Sequence, residues 1–250
     1  MNKPDILHTM LQHRSVRSFK KNTPIEASKL DLIIRSMNQG PTAFNGQLMT
    51  VLNITEPELR LEVAKLCSEQ QHVKDCSSFL VFVMDFNKAK LACEKQGATI
   101  KATDSAESLL SGSVDIGIAL GIAVFLAEAQ GLYTCAIGAV RNHPEKMAEL
   151  LNLPPLTVPL VGLCLGYPDS ELPDVKPKMP LDGFCLNGKY NEKIIKDALY
   201  EYDDVITKPY IAKRNLPEGT SWTKIITKVC SKIYYPEVAP FLKKQGFNKI

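Results

Sequence analysis

The chain has 250 residues, 45% hydrophobic and 23% charged, and its 30 basic and 27 acidic side chains leave a net charge of +3. That composition excludes wholesale disorder, which needs low hydrophobicity with high net charge, and so small a charge is no footprint of a nucleic-acid binder. It still leaves room for a local cationic pocket sized for one small anion.

No secretory leader is expected, because Asp5 and His8 interrupt what would be its apolar region. The longest uncharged apolar stretch, Ile116 to Ala127, is short of the roughly 20 residues that a membrane span takes, so a buried helix is expected there. The seven cysteines are odd in number and irregularly spaced, with no CxxC pair. They read as reduced thiols of a cytoplasmic protein. Cys67, His72 and Cys76 come close to a metal-binding spacing but lack a fourth ligand, so no metal site is expected. The signatures of zinc proteases, common serine hydrolases and P-loop enzymes are missing.

In chain order, Ile6, Leu7, Met10 and Leu11 have helical spacing. After this first helix comes the basic stretch His13-Arg14-Ser15-Val16-Arg17. Thr23-Pro24-Ile25-Glu26 has the pattern of a helix start, with Thr23 as cap, Leu30, Ile33, Ile34 and Met37 as apolar stripe, and Gly40 as stop. Pro41 to Gln47 has loop chemistry. Val51–Thr55 reads as a strand, Glu58–Cys67 as a helix, and Phe79–Met84 as a buried strand. Lys88 to Thr103 is polar and reads as surface. Ala106 to Gln130 is the longest helical segment and is expected to be buried on several sides. Gly117 and Gly121 share one of its faces, which suits either tight packing within the chain or a subunit interface. Leu132–Val140 is a strand or loop containing Gly138. Asn142, Pro144 and Glu145 open a helix, and Val158–Leu165 is a second buried strand. Beyond about residue 170 the pattern turns polar, with helical patches at Ile194–Ile206 and Ile225–Ile233. The first 170 residues therefore suggest one α+β core.

Two basic clusters are candidates for an anion. Arg14 and Arg17 flank Ser15, and Lys176 and Lys178 flank the stiffening Pro177. Together they offer the donors and charge that a phosphate monoester needs. Each alone reads more simply as solvated surface, and nothing in the spacing joins them. Asn45 and Gln47 offer amides to a heteroaromatic edge, or else simply form a turn. Gly138 allows close backbone approach to a ligand.

Several blocks taken together resemble the flavin-dependent nitroreductase family, in its NfsA/flavin-reductase-like subgroup. His13–Arg17 resembles the family's HRSxR block, and the following helix with Pro41–Gln47 resembles the next. Gln70-Gln71-His72-Val73 resembles QxHV, and Ala136–Asn142 resembles IGGxRN. Gly162–Pro168 resembles GLCLGxP, and Lys176–Pro180 resembles KPRxP. Trp222 and Lys244–Phe247 match C-terminal features of the subgroup. The resemblance implies an α+β fold with a mixed β-sheet and surrounding helices, in an intertwined homodimer. It implies a single domain over residues 1–250, with a core of about 1–180 and an extension of about 181–250 that wraps the partner. It implies one FMN per subunit, with NAD(P)H as co-substrate. His13, Arg14, Ser15, Arg17, Lys176 and Lys178 would hold the phosphate. Thr42, Asn45, Gln47 and Gln70 would lie around the ring, and Ile137 and Gly138 along its edge. The implied reaction is two-electron, ping-pong reduction of nitro compounds, quinones or free flavin, with no side-chain catalyst. A flavin-binding protein of the same fold without turnover is the alternative at this stage. Two departures stand out. Lys178 replaces the arginine of KPR and so loses the bidentate fork. Only Lys213 and Arg214 stand where the subgroup grips the NADPH 2′-phosphate. The C-terminal lysines Lys243, Lys244 and Lys249 are the sole hint of nucleic-acid binding, and no membrane or nucleic-acid partner is expected.

Overall fold

A computed structural model describes residues 6–217 and 219–248. Residues 1–5, where Asp5 bears on a leader, lie outside the described residues, as do Glu218 and Lys249. The described residues up to Pro173, together with those from Tyr235 onward, form one compact unit, and Asp174–Tyr234 form a second.

In the first unit the elements run α1 (Ile6–Leu11), α2 (Ala27–Asn38), β1 (Met49–Ile54), α3 (Pro57–Leu66), α4 (Gln71–Asp75), β2 (Ser78–Asp85), α5 (Asn87–Lys95), α6 (Glu107–Ala129), β3 (Tyr133–Ile137), α7 (Pro144–Leu150) and β4 (Thr157–Gly166). The sheet order is β1-β2-β4-β3. All three pairings are antiparallel. The α+β class therefore holds, but the described strand pairings supply none of the expected mixed character.

Side chains on successive strand residues point to opposite faces, and the two central strands are covered on both. Leu80, Phe82, Met84, Leu163 and Leu165 enter one apolar cluster with Ile33 and Met37 of α2 and Ile116, Ala119, Ala123 and Ala127 of α6. Phe79, Val81, Val83 and Cys164 enter the other, with Val16, Phe19, Val63, Val73, Cys135, Ile137 and Met147. Pro159 has no N–H for the ladder, and the register shifts opposite it, between Phe82 and Val83. The neighbouring Leu160 carbonyl accepts the Arg141 guanidinium.

Several elements depart from the sequence reading. The helix after the basic stretch starts at Ala27, with no side-chain cap. Thr23 instead donates its hydroxyl to the Lys21 carbonyl, 3.2 Å. Glu26 is held by a tertiary contact, accepting the Tyr167 hydroxyl at 2.6 Å and pairing with Lys29 at 3.0 Å. The Tyr167 hydrogen bond is the largest factor that pulls the Glu26 carboxyl down to about 2. The polar stretch after β2 holds a helix, α5, none of whose residues is buried. Helix α6 is long and apolar enough, by length and composition alone, to cross a membrane. One stripe of it packs on the sheet as a core helix does. Leu110, Val114, Gly117 and Gly121 are exposed, so burial on several sides does not hold within one chain. A Cβ at Gly117 or Gly121 would meet nothing within 4 Å, which removes tight packing within the chain as the reason for those glycines.

The second unit contains α8 (Leu181–Phe184), α9 (Glu192–Glu201), a π-helical turn (Tyr202–Ile206), α10 (Thr207–Lys213) and α11 (Trp222–Cys230). Asn191 caps α9 through the Ile194 N–H at 3.3 Å, and Ser221 caps α11 through the Lys224 N–H at 3.3 Å. A Cβ on Gly183 would sit 2.5 Å from the Ala198 Cβ, so only glycine lets α8 lie this close to α9.

The chain then returns to the first unit through α12 (Val238–Lys244). The extension expected beyond residue 180 thus ends inside the core of its own chain. The Leu156 N–H donates to the Gln245 carbonyl at 2.9 Å. Phe247 is 0% exposed and packs edge-on against Phe86, with centroids 6.0 Å apart. Phe247→Ala should lower unfolding free energy by about 3–5 kcal/mol, the usual cost of an aromatic-sized cavity. Urea denaturation measures it, and a loss under about 1 kcal/mol would show that this segment is not part of the core.

Candidate functional site

The basic stretch leaves α1 and runs beside the sheet. Its Val16 N–H donates to the Thr134 carbonyl of β3 at 2.9 Å. Phe19 bridges Pro168, and the Lys20 N–H donates to the Tyr167 carbonyl at 2.9 Å. Burying Val16 and Phe19 anchors the segment and leaves Arg17 exposed, with His13, Arg14 and Ser15 half-buried. The His13 Nδ1 lies 2.7 Å from Glu128 Oε1, and that carboxylate also accepts the Thr134 hydroxyl at 3.3 Å. Arg14 donates one long bond, 3.4 Å, to the Pro173 carbonyl, while its buried Nε has no partner among the described residues. A buried cationic donor left unanswered is costly, and an anion removes that cost.

Two further segments come to the same place. Ser68 and Glu69 both have positive φ and turn the chain into Gln70, the residue preceding α4. His72 of α4 is half-buried, and Arg17 acts on it electrostatically. Burial first, and the Arg17 charge second, push the His72 imidazole below its ordinary value. The Asn142 side chain donates to Ser68 Oγ at 2.7 Å, tying this turn to the segment after β3. There Ile137 is buried and Gly138 begins a 3-10 turn. A Cβ on Gly138 would sit 3.0 Å from the Tyr235 hydroxyl and 3.3 Å from an Arg141 nitrogen. Arg141 itself stacks on the Tyr235 ring, 4.9 Å from its centroid.

The loop with Thr42, Asn45 and Gln47 lies elsewhere on the chain. Phe44, Asn45 and Gln47 all have positive φ, and Phe44 is 82% exposed. A bulky residue in that region is strained by about 1 kcal/mol or more. Buried Asp115 of α6 offsets this by accepting the Ala43 N–H at 3.0 Å, and Thr42 Oγ1 accepts the Gln47 N–H at 3.3 Å. The loop forms a cavity of about 340 Å³ with Leu110, Ser111, Val114 and Ile118 of α6. His13 is held at Glu128, nearly four turns further along the same helix, or roughly 20 Å at 1.5 Å per residue. A single chain therefore gathers His13, Arg14, Ser15, Arg17, Gln70, Ile137 and Gly138, and does not bring Thr42, Asn45 and Gln47 to them. Lys176 and Lys178 are exposed residues of the second unit.

Sequence reasoning missed Glu128, Tyr235 and Asn142. For Glu128 a signal existed: a lone carboxylate in the last turn of an apolar helix opposes the helix dipole and needs a partner. Cys67 and Cys76 are buried in the second apolar cluster, and burial pushes the Cys67 thiol up to about 12. Among the described residues no group of three or more His, Cys, Asp or Glu is placed to hold a metal ion.

The nitroreductase family profile matches residues 10–167, and the profile of the nitroreductase family C-terminal domain matches residues 176–250. A Bacillus subtilis protein named FMN reductase (NAD(P)H) is 34% identical over 246 residues, covering 98% of each chain. The NADPH-flavin oxidoreductase of Vibrio harveyi is 30% identical over 246 residues, 97% of this chain and 98% of that one. The structure of NfrA2 from B. megaterium matches with a TM-score of 0.91 at 33% identity, over 99% of this chain and 98% of that one. The Vibrio harveyi NADPH:FMN oxidoreductase complexed with NAD+ matches at 0.84 and 28%, over 96% and 97%.

His72 should titrate below the ordinary imidazole value of 6.5. Arg17→Ala should raise its pKa only part of the way, because burial persists. The neutral form is the one favoured by folding, so this group's contribution to stability is fully present above 6.5 and is lost as pH falls from there through the lower folded value. Imidazole proton shifts followed by NMR decide this, and an ordinary pKa unmoved by Arg17→Ala would contradict the placement.

Proposed function

The chain belongs to the nitroreductase family, and we propose that it is an FMN-dependent NAD(P)H oxidoreductase that passes two electrons to a small-molecule acceptor of the nitro, quinone or free-flavin class. The observation that carries this reading is the buried Arg14 Nε without a partner among the described residues, set in a basic stretch tied to β3.

These residues fit FMN. A phosphate dianion needs about two positive charges and several donors, which Arg14, Arg17, Ser15 and the free edge of the His13 ring supply. Glu128 holds that ring by its other nitrogen. Lys176 and Lys178 are the second pair of cations in this reading. Gln70 offers an amide to a planar ring, and the backbone at Ile137 and Gly138 lies along the ring edge in this reading. Bound FMN would supply the electron-transfer chemistry, so the protein's own work is to bind, orient and set the local field. No side-chain acid or base is assigned to the transfer.

The same reading makes the protein a homodimer. Thr42, Asn45 and Gln47 reach a ring site only from a second copy, and the exposed Leu110, Val114, Gly117 and Gly121 face of α6 gives that copy a surface to pack on. A cytoplasmic location accords with seven cysteines that form no disulfide among the described residues. Lys213 is paired to Asp174 at 2.7 Å, which leaves Arg214 as the one other candidate cation at that point, so either NADH or NADPH is an expected donor.

The purified protein should be yellow, and Arg17→Ala and Lys176→Ala should each weaken FMN binding by about ten-fold or more, the scale of one charge-assisted contact. Unchanged affinity in both variants would overturn the phosphate assignment. Steady-state kinetics with NADH and NADPH against a nitroarene, a quinone and free FMN identify the acceptor. No oxidation of either donor by FMN-loaded protein would overturn the activity. Light scattering should report a dimer, and a monomer retaining FMN would overturn the shared site.

A further inference from the structure

We propose that Tyr202 is a positioning residue that presents Lys176 and Lys178 to the FMN phosphate by holding the Pro177 carbonyl between them. This rests on the reading that the two lysines serve that phosphate.

The Tyr202 hydroxyl donates to the Pro177 carbonyl at 3.0 Å. That carbonyl belongs to the peptide joining Pro177 to Lys178. The proline ring fixes its own φ, and the residue before a proline is confined to extended conformations. One hydrogen bond at this carbonyl therefore orients the backbone of both lysines. Residues 171–180 have no regular secondary structure, so individual contacts such as this bond set their path. The Asp174–Lys213 ion pair is exposed and contributes little to that. Both lysines are exposed, and neither enters an ion pair among the described residues. Their charges are available to a ligand.

Tyr202 is itself braced. It opens the π-helical turn Tyr202–Ile206, an uncommon widening that is enriched at functional positions. Its ring meets the Trp222 ring edge-on, with centroids 5.9 Å apart and planes at 77°. The adjacent Asp203 accepts the Thr223 N–H at 3.0 Å and also the Thr223 hydroxyl, which fastens the start of α11 to the same turn. Two neighbouring side chains of one turn thus hold α11 on one side and the lysine segment on the other. A tie serving stability alone would have no reason to act on phosphate.

The test compares FMN with riboflavin, which lacks the phosphate, on the full chain. Tyr202→Phe keeps the ring packing and removes only the hydroxyl. It should weaken FMN binding about three- to ten-fold and leave riboflavin binding and melting temperature unchanged. In the Lys176→Ala background the same substitution should cost FMN affinity less, because its effect passes through that lysine. Equal losses for FMN and riboflavin, or no FMN loss while Lys176→Ala still weakens FMN, would overturn the role of Tyr202 alone. If Lys176→Ala and Lys178→Ala both leave FMN binding unchanged, the phosphate reading fails and this inference fails with it.

Discussion

The fold depends on one constraint: β2 and β4 are buried on both faces, so each must be covered twice. Phe79, Val81 and Val83 face one way, and Leu80, Phe82 and Met84 the other. The alternation divides the first unit's core into two clusters that share no buried residue, with Leu153 packed against both. One cluster recruits α2, α6 and the returning segment around Phe241 and Phe247. The other recruits the basic stretch, α3, α4 and α7. The basic stretch proposed to bind the anion is therefore anchored by the hydrophobic demand of the second face, through Val16 and Phe19, as well as by its polar contacts to β3 and Glu128.

Helix α6 connects the two parts of the chemistry and also keeps them apart. Its Asp115 stabilises a loop whose backbone is strained at Phe44, and its Glu128 aligns His13. The distance between those two carboxylates decides which residues one chain can gather. The exposed small and apolar face between them accords with the proposed dimer, in which a second copy would complete the site.

Much of this was legible in the sequence where a pattern had a single physical meaning. The continuous apolar runs at Phe79–Met84 and Val158–Leu165 read directly as doubly covered strands. The blocks that resemble the family marked the basic stretch, Gln70 and Gly138, and the structure gathers those in one region of the first unit. Failures came where tertiary contacts overrode local signals. Thr23 and Pro24 have a capping pattern, but Glu26 is claimed by Tyr167 and Lys29, so the helix begins later. Helix α5 buries no residue, and periodicity has nothing to detect there. The return of α12 to the core rests on contacts distant in sequence, which no local window contains. The roughly 20 Å between the loop at Thr42 and the basic stretch is set by the helix packed between them.

The docking of Phe241 and Phe247 also bears on how the protein is made. They fill a cluster whose other members, such as Ile33, Met37 and Phe86, are synthesised long before them. On a ribosome the helix-side face of the sheet stays incomplete while the whole second unit is translated. Closing a loop of that length carries an entropic cost that only the completed cluster offsets. The nascent chain is thus exposed at that face while the second unit is made, and a chaperone or a prematurely paired neighbour would find it open there.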